Sequence, residues 1–213
     1  IYKQKIKNKL KYLQNCKKPE ICSTGTKANV ENFFGKKATI YKQKVLPLST
    51  IKKRQMPDFV HLHVHSQYSI LDGQASVIKL VDKAIADNMK GIAITDHGNM
   101  MAIKEFFNYV SKKNFKKSEE ERFKPIIGCE VYVAERRLFN KELKEDMRGH
   151  HLILLAKNLQ GYHNLVKIVS KAWSEGYYYN PRTDKAEIEK YHEGIICCSA
   201  CLGGEVPQLI KNG

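Results

Sequence analysis

Strand-like and helical stretches alternate about five times between residues 59 and 203 of this 213-residue chain, and that alternation predicts an α/β domain built on a parallel sheet or barrel. Two observations strengthen the prediction. The helical stretches are long enough to cross back over a sheet. Potential metal-binding side chains also gather at or just past the predicted strand ends, where barrels carry their chemistry.

The elements follow in order. Residues 59–64 read as a strand. Residues 77–89 carry apolar side chains at Val77, Ile78, Leu80, Val81, Ala84 and Ile85, a helical stripe that Gly91 is expected to cap. Residues 92–95 are a short buried strand, 100–112 a second amphipathic helix and 113–124 a charged surface insertion. Strands are expected at 125–133 and 151–156, a helix at 159–173, a strand at 194–199 and a helix start near Gly203.

Charge divides the chain. Residues 1–55 hold 15 Lys/Arg against two acids, Glu20 and Glu31, a net +13, while the other 158 residues carry 22 against 20. The basicity therefore belongs to a leader over 1–55, expected to be disordered or weakly helical. A basic arm gripping phosphates is the alternative. Met56 is a natural beginning for a domain over 56–213. No run approaches the ~18 apolar residues of a membrane helix, and no secretory signal is visible. The six cysteines, Cys16, Cys22, Cys129, Cys197, Cys198 and Cys201, suggest no disulfide framework, which favours the reducing cytoplasm.

The most informative stretch is His61-Leu-His-Val-His65, followed about thirty residues later by Thr95-Asp-His-Gly-Asn99. Side chains alternate along a strand, so His61, His63 and His65 are expected on one face. Imidazole is the commonest biological ligand for zinc-like metals. The candidate ligands are His63, His65, Asp72, His97, Glu130, His151 and Cys201. Nitrogen, carboxylate and thiolate donors together suit two or three divalent ions, and clustered ions suit phosphoester chemistry. His151 opens its predicted strand, so its place in such a cluster is less well explained.

His63-Val-His-Ser66, Thr95-Asp-His97 and Gly128-Cys-Glu130 resemble the motifs of the PHP (polymerase and histidinol phosphatase) family. The words 59–73, 94–99, 151–157, 161–165, 181–182 and 198–203 are similar to the N-terminal region of bacterial DNA polymerase III alpha subunits of the DnaE type. That resemblance implies a distorted (β/α)7 barrel, of which about the first five βα units are present. It also implies a trinuclear cleft of zinc, or manganese, ions. By position His63 and His65 serve one ion, His151 and Cys201 a second, Asp72 and His97 a third, and Glu130 bridges. The family's last motif, an Asp-x-His, is not found before Gly213, nor are the polymerase's catalytic aspartates. The chain is therefore read as a fragment that does not itself polymerise DNA, with an exposed edge strand and marginal stability.

The function implied is metal-dependent phosphodiester hydrolysis, a 3′→5′ exonuclease activity, within a replicative polymerase. Its partners would be DNA and, through the longer protein, the sliding clamp and clamp loader. The alternatives are a metal-braced structural module that supports the polymerase or docks a proofreading subunit, or a free-standing phosphatase. Several residues carry plainer expectations. His61 is second to the metal site or fills the barrel. Asp96 orients His97 or caps the next helix. His150, His163 and His192 are structural or solvated, and Cys129, Cys197 and Cys198 are core thiols. Tyr177, Tyr178 and Tyr179 with Arg182 resemble a stacking platform for single-stranded DNA, although such runs more often pack on their own domain. Ser66 and Ser69 lack the partners of a nucleophile.

Overall fold

The structure, a computed structural model, describes residues 59–211, so the leader expected over 1–55 lies outside the described residues. The elements are α1 (Val77–Ala86), β1 (Gly91–Ile94), α2 (Ile103–Lys113), β2 (Lys124–Ala134), β3 (Gly149–Ala156), α3 (Leu159–Ser174), β4 (Tyr177–Tyr178), β5 (Asn180–Thr183), α4 (Lys185–Lys190), β6 (Ile195–Cys198) and α5 (Glu205–Lys211). The architecture is mixed α/β and fits the partial barrel that the sequence implies.

Helix α1 starts where the Ser76 side chain accepts the Lys79 N–H, and it buries Val77, Val81 and Ala84 at helical spacing. It ends earlier than the apolar stripe suggests, because Asn88 turns the chain with φ +59°. Gly91 does not cap this helix. It opens β1, where a Cβ would lie 2.5 Å from the Lys124 carbonyl oxygen of the neighbouring strand. Asn158 caps α3 through the Gly161 N–H, and α3 buries Leu165, Ile168, Val169 and Ala172 against the sheet.

Strand β2 organises the sheet. Its first half pairs in parallel with β1, from Gly91↔Lys124 to Ile94↔Ile127, and its end pairs in parallel with β5 at Tyr132↔Arg182 and Val133↔Thr183. On the other edge β3 runs antiparallel to it, from Gly128↔Leu155 to Ala134↔Gly149, and β6 runs antiparallel to β3. The expected parallel sheet is therefore mixed. The β2–β3 connection holds a 3-10 turn, Lys144–Met147, rather than a crossover helix, so the chain returns beside the strand it left. The β4–β5 hairpin and α4 were not visible in the sequence pattern.

Alternation along β2 and β3 sorts core from cleft. Cys129, Val131, Val133 and Leu154 join Leu165, Ile168 and Val169 in one core, while Ile153 and Leu155 pack with Ala93 on the opposite face. A second core lies between α1, β1 and α2 around Val81, Ile94 and Phe106. Cys129 is a core thiol as expected. Cys197 is not, being exposed on β6, which among the described residues pairs with β3 alone.

Arg182 is fully buried and donates to four carbonyls: Gly176 (3.2 Å), Asp146 (2.7 Å), Leu138 (2.9 Å) and Asn140 (2.9 Å). It ties the 135–148 connection to β5, so it is not an arm of a DNA platform. Removing a buried donor strands its acceptors. Arg182→Met should lower the unfolding free energy by about 3 kcal/mol or more in urea titrations. The same region sets an acid limit. Arg136, with the Leu143 and Glu142 N–H groups, holds Asp146 below the usual carboxylate range. Asp184 is also depressed, because Arg137 and the Leu138 and Glu187 N–H groups outweigh the upward pull of its burial. A depressed carboxylate stabilises the fold above its ordinary pKa, and that contribution fades as pH falls. Stability should therefore decline as pH drops below about 4, and less steeply in Asp146→Asn.

Candidate metal centre

The segment carrying the first histidines is extended beside β1 but is not the strand expected over 59–64. The Ala93 N–H donates to the His61 carbonyl and the Thr95 N–H to the Val64 carbonyl, each at 2.8 Å. Four residues, 61–64, thus lie against three, 93–95, a bulge that breaks the ladder. His61 joins none of the three groups of candidate ligands described below and sits edge-on to Phe59. His63 and His65 lie beyond it, with their Nε2 atoms 3.1 Å apart.

Glu130 lies within β2, just past the end of its β1 pairing, and forms an isolated parallel bridge with His97. Gly98 follows with φ +60°, its N–H donating to the Glu130 carbonyl at 2.8 Å, where a Cβ would lie 2.6 Å from Pro181. The antiparallel direction of β3 explains His151. Its strand begins where β2 ends, and His151 pairs with Tyr132. A residue that opens β3 thus stands at the same end of the sheet as the loop after β1.

The Glu130 carboxylate is the hub. Oε2 lies 2.7 Å from His97 Nδ1, 3.2 Å from His65 Nε2 and 3.7 Å from His63 Nε2, while Oε1 lies 2.7 Å from His151 Nδ1. His97 Nε2 meets Asp72 Oδ2 at 2.9 Å, and Cys201 Sγ lies 3.5 Å from His151 Nδ1. All seven candidate ligands are brought together. They form three overlapping groups: His63, His65 and Glu130; His65, Asp72 and His97; Glu130, His151 and Cys201.

The Glu130 contacts are close but poorly aligned. Both Glu130 oxygens and His97 Nδ1 are buried without a hydrogen bond of acceptable geometry. Lone pairs that converge without aligning on one another suit a shared cation, and a nitrogen, carboxylate and thiolate set suits zinc-like ions. The charges agree. Burial pushes the Glu130 carboxyl up, yet the close imidazoles of His151, His65 and His97 outweigh it and hold the group far below the usual range. Glu130 in turn raises His97, and it raises His151 to about 9. His63 is lowered, chiefly by burial.

Residues 61–213 match the family model of the PHP domain. The chain belongs to the PHP family. Relatives include the DNA polymerase III alpha subunits of Borreliella burgdorferi (49% identical over 155 residues), Treponema pallidum (46% over 156) and Chlamydia trachomatis (44% over 151). These alignments cover 71%, 73% and 70% of this chain but only 13%, 13% and 12% of the relatives, so the chain spans about an eighth of their length. A solved amidohydrolase from Chromobacterium violaceum shares 21% identity over 53% of this chain and 34% of its own, at a TM-score of 0.34, too slight a likeness to bear on the fold. Among the described residues no helix is long and apolar enough to cross a membrane.

Other expectations resolve differently around this PHP centre. Asp96 does not cap α2, whose first turn follows Ala102. It is buried and accepts from the Ser66 N–H (2.6 Å), Ser66 Oγ (2.7 Å) and Ser69 Oγ (2.6 Å). The two serines set aside as nucleophiles are thus supports of the site. Tyr132 escaped notice, although alternation from Glu130 places it on the same face. Its ring stands 5.2 Å from that of His151, and burial raises its phenol to about 12. Tyr177 stacks on Trp173, whose Nε1–H donates to the Gly98 carbonyl at 2.7 Å. His150 meets Glu135 at 2.8 Å, outside the three groups.

Histidines bind metal as neutral imidazoles, so protons compete for the site. Zinc affinity should weaken as pH falls from about 9, where the metal-free His151 ring gains its proton. Calorimetry in buffers of different ionisation enthalpy should show proton release on zinc binding. Glu130→Gln should lower the zinc bound per chain, read by elemental analysis after gel filtration.

Proposed function

We propose that this chain is the PHP portion of a replicative DNA polymerase alpha subunit, and that its centre hydrolyses phosphodiesters at DNA 3′ ends. The observation that carries the reading is the buried Glu130 carboxylate, whose oxygens face four imidazoles yet make no well-formed hydrogen bond. We assign His63, His65 and Glu130 to one ion, Glu130, His151 and Cys201 to a second, and Asp72 and His97, with His65 alongside, to a third. Zinc is the favoured metal, with manganese possible. Divalent ions held there lower the pKa of bound water and offset charge on the attacked phosphate.

The protein's own residues supply the rest. The sheet holds Glu130 and His151 and the 95–99 loop holds His97, and the partly exposed rings of His63 and His65 leave the cleft open to a strand end. DNA is the proposed substrate. The sliding clamp and clamp loader are proposed partners of the longer protein, in the cytoplasm. The relatives' shared identity as polymerase subunits supports this over a free-standing phosphatase.

A structural role for the metals is the second reading, favoured by the position of Glu130 within the central strand. Shortening of a 5′-labelled oligonucleotide from its 3′ end decides between them. The proposal expects zinc- or manganese-dependent shortening that falls at least about a hundred-fold in His97→Ala. If shortening is absent or insensitive to that change while the melting temperature falls, the metals are structural. Faster turnover of a chromogenic monophosphate than of DNA would favour the phosphatase.

A further inference from the structure

Ser69 is buried between the Asp96 carboxylate and the His65 ring, and its hydroxyl has three polar neighbours. Its Oγ lies 2.6 Å from Asp96 Oδ1, 3.1 Å from the His97 backbone nitrogen and 3.3 Å from His65 Nδ1. An ionised carboxylate can only accept, and a backbone N–H can only donate. Asp96 takes donors from every side, since the Ser66 N–H and Ser66 Oγ also reach it at 2.6 and 2.7 Å. Ser66 Oγ in turn accepts the Tyr68 N–H at 3.2 Å, so its proton is committed to Asp96 as well.

The proton count then closes. The Ser69 hydroxyl proton goes to Asp96, and one Ser69 lone pair accepts the His97 N–H. What remains for His65 is the second lone pair. We infer that Ser69 sets the tautomer of His65: it holds the ring proton on Nδ1 and leaves the Nε2 lone pair facing the centre. That Nε2 lies 3.1 Å from His63 Nε2 and 3.2 Å from Glu130 Oε2. The inference rests on the metal reading above and assigns Ser69 a positioning role in it.

Metal-ligating histidines commonly donate their second N–H to a carboxylate or carbonyl. Here the acceptor is a hydroxyl, which could equally donate and would then select the wrong tautomer. The buried carboxylate behind it removes that freedom. Asp96 thus acts on His65 through Ser69, although it is the chain neighbour of His97.

The test uses the full chain loaded with Zn²⁺ alone, with the histidine ring nitrogens read by ¹⁵N–¹H correlation. In the wild type, His65 should bind through Nε2 and show a slowly exchanging Nδ1–H. Ser69→Ala should expose that proton to fast exchange and weaken zinc binding about ten- to hundred-fold. Ser69→Thr, which keeps Oγ, should restore both. Ser66→Ala is the matched control: it removes a comparable bond to Asp96 but touches no ring, so stability should fall while the His65 signal stays. Coordination of His65 through Nδ1, or an Nδ1–H signal unchanged in Ser69→Ala, would overturn the inference while leaving the metal reading intact. A wild type that binds no zinc would overturn both.

Discussion

A carboxylate with 1% of its side chain exposed, set within the longest strand of the sheet, is costly unless something answers its charge. Glu130 meets imidazoles on both of its oxygens, and their approach keeps it ionised despite burial. That requirement organises the domain. Strand β2 must present odd residues to the α3 core and even residues to the cleft. The loop after β1 must then bring His97 to one oxygen, and β3 must start beside the end of β2 to bring His151 to the other.

The supports follow from the same need for fixed donors. Asp96, Ser66 and Ser69 lock the turn that follows His65 onto the loop that carries His97. On the far side Arg182 gathers the carbonyls of the β2–β3 connection and joins them to β5. The Arg182 network stays clear of the candidate ligands, and the Asp96 network meets the His65 ring through Ser69 Oγ. Both limit how far the ligand-bearing backbone can drift, which a site of several close charges requires.

Much of this was legible in the sequence. Five of the seven proposed ligands, His63, His65, His97, Glu130 and Cys201, stand at or just past predicted strand ends, whereas Asp72 and His151 rest on donor type and the family resemblance; the structure brings all seven together. The helical stripes of α1, α2 and α3 were placed within a few residues because apolar spacing is local information. What failed was non-local. The bulge that breaks the expected 59–64 strand depends on the pairing of its segment with β1. The direction of β3 depends on the 135–148 connection, which makes a turn and not the crossover that a parallel sheet requires. Arg182 looked like a surface cation because its acceptors, carbonyls between residues 138 and 176, cannot be read from side-chain identity. Ser69 carried no signal beyond its nearness to His65, and its role emerged only once Asp96 was seen behind it.

The central claim is that the buried Glu130 carboxylate is arranged to be shared between metal ions. Anomalous diffraction at the zinc edge from crystals of the zinc-loaded chain tests it most directly. The account predicts peaks on both sides of Glu130, one shared with His63 and His65 and one with His151 and Cys201. Zinc bound elsewhere, or a Glu130 carboxylate that touches no ion while its neighbours do, would contradict it.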